Sequence, residues 1–300
     1  MSGTMVIAGE GGGKSTFIGA LITYVSNIEG DRYRGGYNVE YGSQIAFDQE
    51  IYEPMESNFA YPKATPRLDR YVVRVTTNSD DSYAAKRSLT MMDIPGELQQ
   101  DAIDKLVRGE INEEKVSDAY NNGHGNEDPI RKKVENGKQL SDREVELLYQ
   151  YQYISSDRVI LLLNLHKFIH RPNMDPVLST ELIDRIAREK RCLLLVTATD
   201  EIDYNASKFR SGILAQVVSK FSVSPRLFDS NLAERLKEGS SLPPGRRSSD
   251  IGRLIRATED NDVSMFGVAI PEGPHGDIEV EQGNIKTQGF DNIVYWLMNT

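Results

Sequence analysis

The chain has little of what staples small folds: its 300 residues include one cysteine, Cys192, and only four histidines. A single thiol cannot close an internal disulfide, and no Cys/His cluster has the spacing of a structural zinc site. Cys192 opens an aliphatic run with Leu193, Leu194, Leu195 and Val196, which predicts a buried strand position rather than a reactive thiol. Long apolar stretches are also missing. The longest aliphatic runs, such as residues 159–163, fall far short of the ~20 residues that cross a bilayer, so no membrane span is expected. No basic segment leading into an apolar stretch reads as a secretory signal, and the expected localisation is cytoplasmic.

Positive charge is in deficit. Thirty-five Lys plus Arg face 45 Asp plus Glu, a formal net charge of −10. Broad binding of nucleic acid or of anionic membrane depends on a positive field, so no nucleic-acid partner is expected. An acidic chain can still build a phosphate site from backbone N–H groups. The hydrophobic fraction of 39% and charged fraction of 27% are ordinary for a globular protein, and the length suffices for a sizeable core.

What the sequence does contain is an alternation of strands and helices. Met5-Val6-Ile7-Ala8 runs into Gly9-Glu10-Gly11-Gly12-Gly13-Lys14-Ser15-Thr16, and Phe17, Ile18, Leu21, Ile22 and Val25 follow at helical spacing. Strands at 71–75 and 89–93, joined through turn residues at 78–82, predict an antiparallel pair. Residues 99–150 are highly charged and read as an inserted helical segment on the surface, closing with a helix over about 142–154. Strands at 158–164 and 193–197 alternate with a helix starting near Ser179. An amphipathic helix follows through Phe209, Ile213, Leu214, Val217, Val218 and Phe221. Residues 223–262 form an irregular insertion before a strand over 265–270 and a closing helix over 290–298. The expectation is an α/β fold: a P-loop NTPase three-layer sandwich, 1–300 as a single domain. Its sheet is mostly parallel, with one antiparallel edge strand and helical and irregular insertions.

Ala8-x-x-x-x-Gly13-Lys14-Ser15 has the form of a phosphate-binding loop with alanine at its first position. Glycines let the backbone of residues 9–13 wrap a phosphate with N–H groups inward. Lys14 reaches the β/γ-phosphates and the Ser15 hydroxyl binds Mg²⁺. The helix that begins there, with Thr16 in its first turn, adds its positive end. Downstream, Asp93-Ile94-Pro95-Gly96-Glu97 ends a strand; there an aspartate can hold the Mg²⁺ hydration shell and Gly96 can offer its N–H to a γ-phosphate.

With this pair of motifs the chain resembles the P-loop GTPases of the translation-factor-related class, whose DxxG motif switches with the γ-phosphate. Tyr61-Pro62-Lys63-Ala64-Thr65, then DIPGE, then Trp296-Leu297 in the last helix, is similar to the prokaryotic double-GTPase group. That resemblance implies a switch threonine at Thr65 that contacts Mg²⁺ and γ-phosphate, although Thr65 also reads as a plain loop residue. Glu97 stands where many GTPases carry the glutamine that orients the attacking water; a carboxylate favouring a helix N-terminus is the other reading. Thr197-Ala198-Thr199-Asp200 occupies the place of the family's N/T-K-x-D base motif, with Thr197 and Asp200 fitting and Ala198 replacing the lysine. Asp200 would accept from guanine, or else cap the helix after it.

The implied function is GTP binding and hydrolysis to GDP with Mg²⁺, as a switch read by a protein effector or activator. The departure at Ala198 leaves a P-loop ATPase or nucleotide-dependent kinase as an alternative, beside a nucleotide-binding scaffold without significant hydrolysis. Nothing in the sequence fixes the oligomeric state. His166 and His170 have helical spacing but no accompanying acid motif, so they are read as surface residues. Tyr149, Tyr151 and Tyr153 read as packing residues.

Overall fold

The computed structural model describes residues 3–9, 13–26, 33–41, 44–56, 58, 60–61, 69–77, 86–93, 96–121, 129–136, 138–164, 179–197, 257, 260–268, 270, 278, 280–281, 284–285, 287 and 289–299. The amphipathic pattern at 209–221 and nearly all of 223–262 lie outside them.

A seven-stranded sheet runs through the molecule in the order β2-β3-β4-β1-β5-β6-β7. Its strands are β1 (Gly3–Ala8), β2 (Tyr33–Tyr41), β3 (Asp69–Thr77), β4 (Lys86–Asp93), β5 (Arg158–Asn164), β6 (Arg191–Thr197) and β7 (Ser264–Gly267). From β4 to β7 every neighbouring pair is parallel. The expected antiparallel pairing of β3 with β4 is present. β3 is not the edge strand, however: β2 pairs antiparallel with its other side and itself takes the edge. The sequence carries an alternation there, Tyr33, Tyr37, Val39 and Tyr41 against Arg34, Asn38 and Glu40, but Gly35-Gly36 interrupts it.

The central strands are long apolar runs because both of their faces are covered. Met5 and Ile7 of β1, Val159, Leu161 and Leu163 of β5, and Cys192, Leu194 and Val196 of β6 face one core. Val6, Ala8, Ile160, Leu162, Leu193 and Leu195 face another. Period-two side-chain alternation thus divides each strand between two hydrophobic layers.

On the first face lie α4 (Gly96–Arg108), α5 (Glu113–Asn121), α6 (Ile130–Glu135), α7 (Asp142–Ser155) and α8 (Thr180–Glu189). The charged segment 99–150 therefore supplies core as well as surface. Ala102, Ile103, Leu106, Val116, Tyr120, Val145, Leu148 and Tyr149 are buried within it. Tyr151 stacks on Tyr120 with ring centroids 3.7 Å apart. Ser179 caps α8, its hydroxyl accepting from the Leu182 N–H at 3.1 Å.

The second face is covered by α1 (Lys14–Ser26), by the helical stretch α2 (Gln44–Phe47), a π turn (Asp48–Tyr52) and α3 (Glu53–Glu56), and by α9 (Phe290–Asn299). Phe47, Ile51 and Met55, four residues apart, pack against this core. The Tyr37 hydroxyl donates to Asp48 at 2.9 Å, tying β2 to the π turn. At the opposite end of the molecule's order, buried Arg158 donates to the Leu297 carbonyl at 2.7 Å and sits 5.8 Å from the Trp296 ring centroid. This anchors α9 to the start of β5. Among the described residues no helix is long and apolar enough to cross a membrane.

Gly289, just before α9, has φ +77°, and a Cβ there would collide with the Gly267 carbonyl of β7. Gly289→Ala combines left-handed strain with overpacking and is expected to cost about 3 kcal/mol. A urea unfolding midpoint measures it, and no loss would mean α9 does not dock on β7 this way.

Candidate functional site

From β1 the chain moves first to one side of the sheet, to β4, and then to the other, to β5. In open α/β sheets such a reversal marks the carboxyl end of the strands as the usual place for a ligand. The residues singled out in the sequence converge on this end. Ala8 closes β1 and pairs with Leu162; Asp93 closes β4, and Thr197 closes β6 opposite Asn164.

The β1–α1 junction runs from strand into helix through two described glycines. Gly9 is buried directly after the strand, and Gly13 adopts a left-handed φ of +78°. Among the described residues a Cβ on Gly13 would meet Asn164 Nδ2 at 3.4 Å, and the left-handed backbone angle itself favours glycine there. The helix starts at once, with the Phe17 N–H donating to the Gly13 carbonyl at 2.8 Å. Lys14, Ser15 and Thr16 form the first turn of α1, bringing their N–H groups to its positive end. Glu10, Gly11 and Gly12 lie outside the described residues, as do Thr65 and Asp200.

Lys14 is 7% exposed, an unusual place for an ammonium unless acceptors surround it. Its Nζ donates to Gln99 Oε1 at 2.6 Å. The same amide donates through Nε2 to the Ala8 carbonyl. Gln99, itself 2% exposed, therefore bridges both ends of the β1–α1 junction from α4. It belongs to the helix that opens with Gly96 and Glu97, so the segment after DIPGE lies against the loop. The Tyr149 hydroxyl of α7 is buried and has no hydrogen-bond partner among the described residues. Burial raises this phenol far above its usual range, against an opposing contribution from Gln99, so it stays protonated as an O–H donor.

Sequence reasoning passes over Gln99 and the hydroxyl of Tyr149, and it sets Asn164 aside because Asn164-Leu165-His166-Lys167 has the wrong order for a base motif and sits one strand too early. Gln99 stands three residues after Gly96, one helical turn into α4, and that spacing was the available signal. Asn164 terminates an aliphatic strand, and only the register of β5 with β1 places it beside Gly13. Tyr149 was read correctly as a packing residue, but its sequence neighbours say nothing of where the hydroxyl falls.

Ser15 lies in the first turn of α1, and Asp93 closes β4, the strand that pairs with β1. The Thr197 hydroxyl donates to the Leu163 carbonyl at 3.4 Å, linking the end of β6 to β5. Cys192, by contrast, is no nucleophile: burial pushes its thiol up to about 12.

Replacing Gln99 by methionine keeps the volume and removes both amide bonds, one of them to a charged group. Gln99→Met is expected to cost about 1–3 kcal/mol of stability, read from denaturant unfolding; an unchanged midpoint would contradict the bridge. No protein-family model matches this chain, and no curated protein or solved structure matches it either.

Proposed function

We propose that the chain binds GTP with Mg²⁺ and hydrolyses it to GDP and phosphate, as a nucleotide-dependent switch. The observation that supports this reading most is the junction itself. A left-handed glycine followed by a buried lysine opens a helix at the carboxyl end of the central strand, against the start of α4.

In this reading the N–H groups of residues 9–16 and the Lys14 ammonium hold the β/γ-phosphates, through charge-assisted hydrogen bonds stronger than those to neutral acceptors. Ser15 and Thr65 would ligate Mg²⁺, and Asp93 would hold its water shell. Bound there, Mg²⁺ supplies positive charge against the phosphate oxygens. Gly96 offers its N–H toward the γ-phosphate, and Glu97, beside it at the start of α4, orients the attacking water. Thr197 and Asp200 face the base. Rate enhancement then rests on positioning and preorganised charge. The stimulus to a faster turnover, and the readout of the bound state, would come from a protein activator or effector.

Ala198 favours a second reading, an ATPase or nucleotide-dependent kinase, because no lysine stem covers the base. Competition of GDP against ADP separates the two. A single-turnover rate no faster than that of free GTP would instead support the scaffold reading. Lys14→Ala and Ser15→Ala are each expected to abolish nucleotide binding in a fluorescence titration. Undiminished affinity in both variants would overturn the proposal.

A further inference from the structure

We propose that the groove between α4, α5 and α7 is a binding site for a zwitterionic ligand of short-peptide size. The groove encloses about 540 Å³, within the range of small-molecule sites. It is separate from the β1–α1 junction: Lys105, on its wall, lies roughly 9 Å further along α4 than Gln99. Two observations carry the proposal. The first is a buried amide held in place with its oxygen unused. Gln150 lines the groove at 6% exposure, and its Nε2 donates to Glu146 Oε1 at 2.7 Å. The same carboxylate oxygen accepts from Lys105 Nζ at 2.5 Å. That clamp orients the carboxamide, and among the described residues Gln150 Oε1 accepts no hydrogen bond.

The second observation is unspent charge of both signs. Lys115 and Arg143 line the groove, as do Glu110 and Asp118, and none of the four makes an ion pair among the described residues. Lys105 and Glu146 already satisfy each other, so two cations and two carboxylates are left to an occupant. These open charges sum to zero, which favours neither a plain anion nor a plain cation. A ligand carrying one charge of each sign answers both. Its carboxylate takes Lys115 and Arg143 in charge-assisted hydrogen bonds. Its ammonium donates to Gln150 Oε1, with Asp118 and Glu110 to balance the charge. Val116 and Leu147, also in the lining, offer apolar surface to a side chain. The walls are fixed independently of any ligand. Asn112 Oδ1 accepts the Lys115 N–H at 2.9 Å and caps α5, while Tyr120 stacks on Tyr151 and holds α5 to α7.

Alanyl-leucine, its N-acetyl derivative and its C-terminal amide test this, each titrated into the full chain and followed by ligand-observed NMR. The zwitterion should bind about 10-fold more tightly than either derivative, because each derivative loses one charge-assisted contact. Lys115→Ala combined with Arg143→Ala changes two exposed side chains. The double variant should melt as the parent does and bind the zwitterion about 10-fold more weakly. Gln150→Met should weaken it about 3- to 10-fold, the fold-change of one neutral hydrogen bond; if that variant loses its fold by circular dichroism, the surface double variant decides. No saturable binding of alanyl-leucine to the parent, equal affinity for all three peptides, or an unshifted dissociation constant in the double variant would overturn the site. Saturating GDP·Mg²⁺ should leave the peptide bound, and its displacement would move the peptide to the β1–α1 junction and overturn the groove.

Discussion

A buried ammonium constrains the whole arrangement. Lys14 is held away from water at the first residue of α1, where an uncompensated charge would cost several kcal/mol or neutralise itself. Gln99 answers that demand from α4 and closes a second bond onto the end of β1. One amide thereby sets how near the helix after β4 approaches the loop after β1. The left-handed turn at Gly13 is what aims α1 so that its lysine reaches this position.

The rest of the fold makes that contact possible by holding three elements rigidly. β1 is clamped between β4 and β5, and its side chains alternate into two separate cores. α4 cannot drift, since Ala102, Ile103 and Leu106 are buried with α7 and the sheet. The far end of the sheet is secured by different means, with Arg158 satisfying the last turn of α9 and lying against Trp296. The Lys14–Gln99 contact and the Arg158 anchor thus lie at opposite ends of the central strands.

Much of this was legible because burial on both faces writes itself into sequence as unbroken aliphatic runs. β1, β5 and β6 were read from such runs, and the loop between β1 and α1 from its glycines followed by Lys14-Ser15. β2 escaped because an edge strand needs only a weak alternation, here broken by Gly35-Gly36 (paired all the same with β3). The helical stretch at residues 44–56 escaped because its three buried residues, Phe47, Ile51 and Met55, are diluted by acidic neighbours. The segment after Gln99 was read as surface because its charges outnumber the apolar positions that α4, α5 and α7 turn inward. The partner of Gln99 was hidden for a different reason: a hydrogen bond to Lys14 across 85 positions leaves no local pattern.

The central claim is that the β1–α1 junction holds a nucleotide's phosphates. Hydrogen–deuterium exchange of the full chain, with and without saturating GDP·Mg²⁺, tests it most directly. The account predicts slowed exchange at the amides of residues 13–16 and altered exchange in the first turn of α4, with little change in α9. Unchanged exchange at residues 13–16 with GDP, and again with ADP, would contradict it.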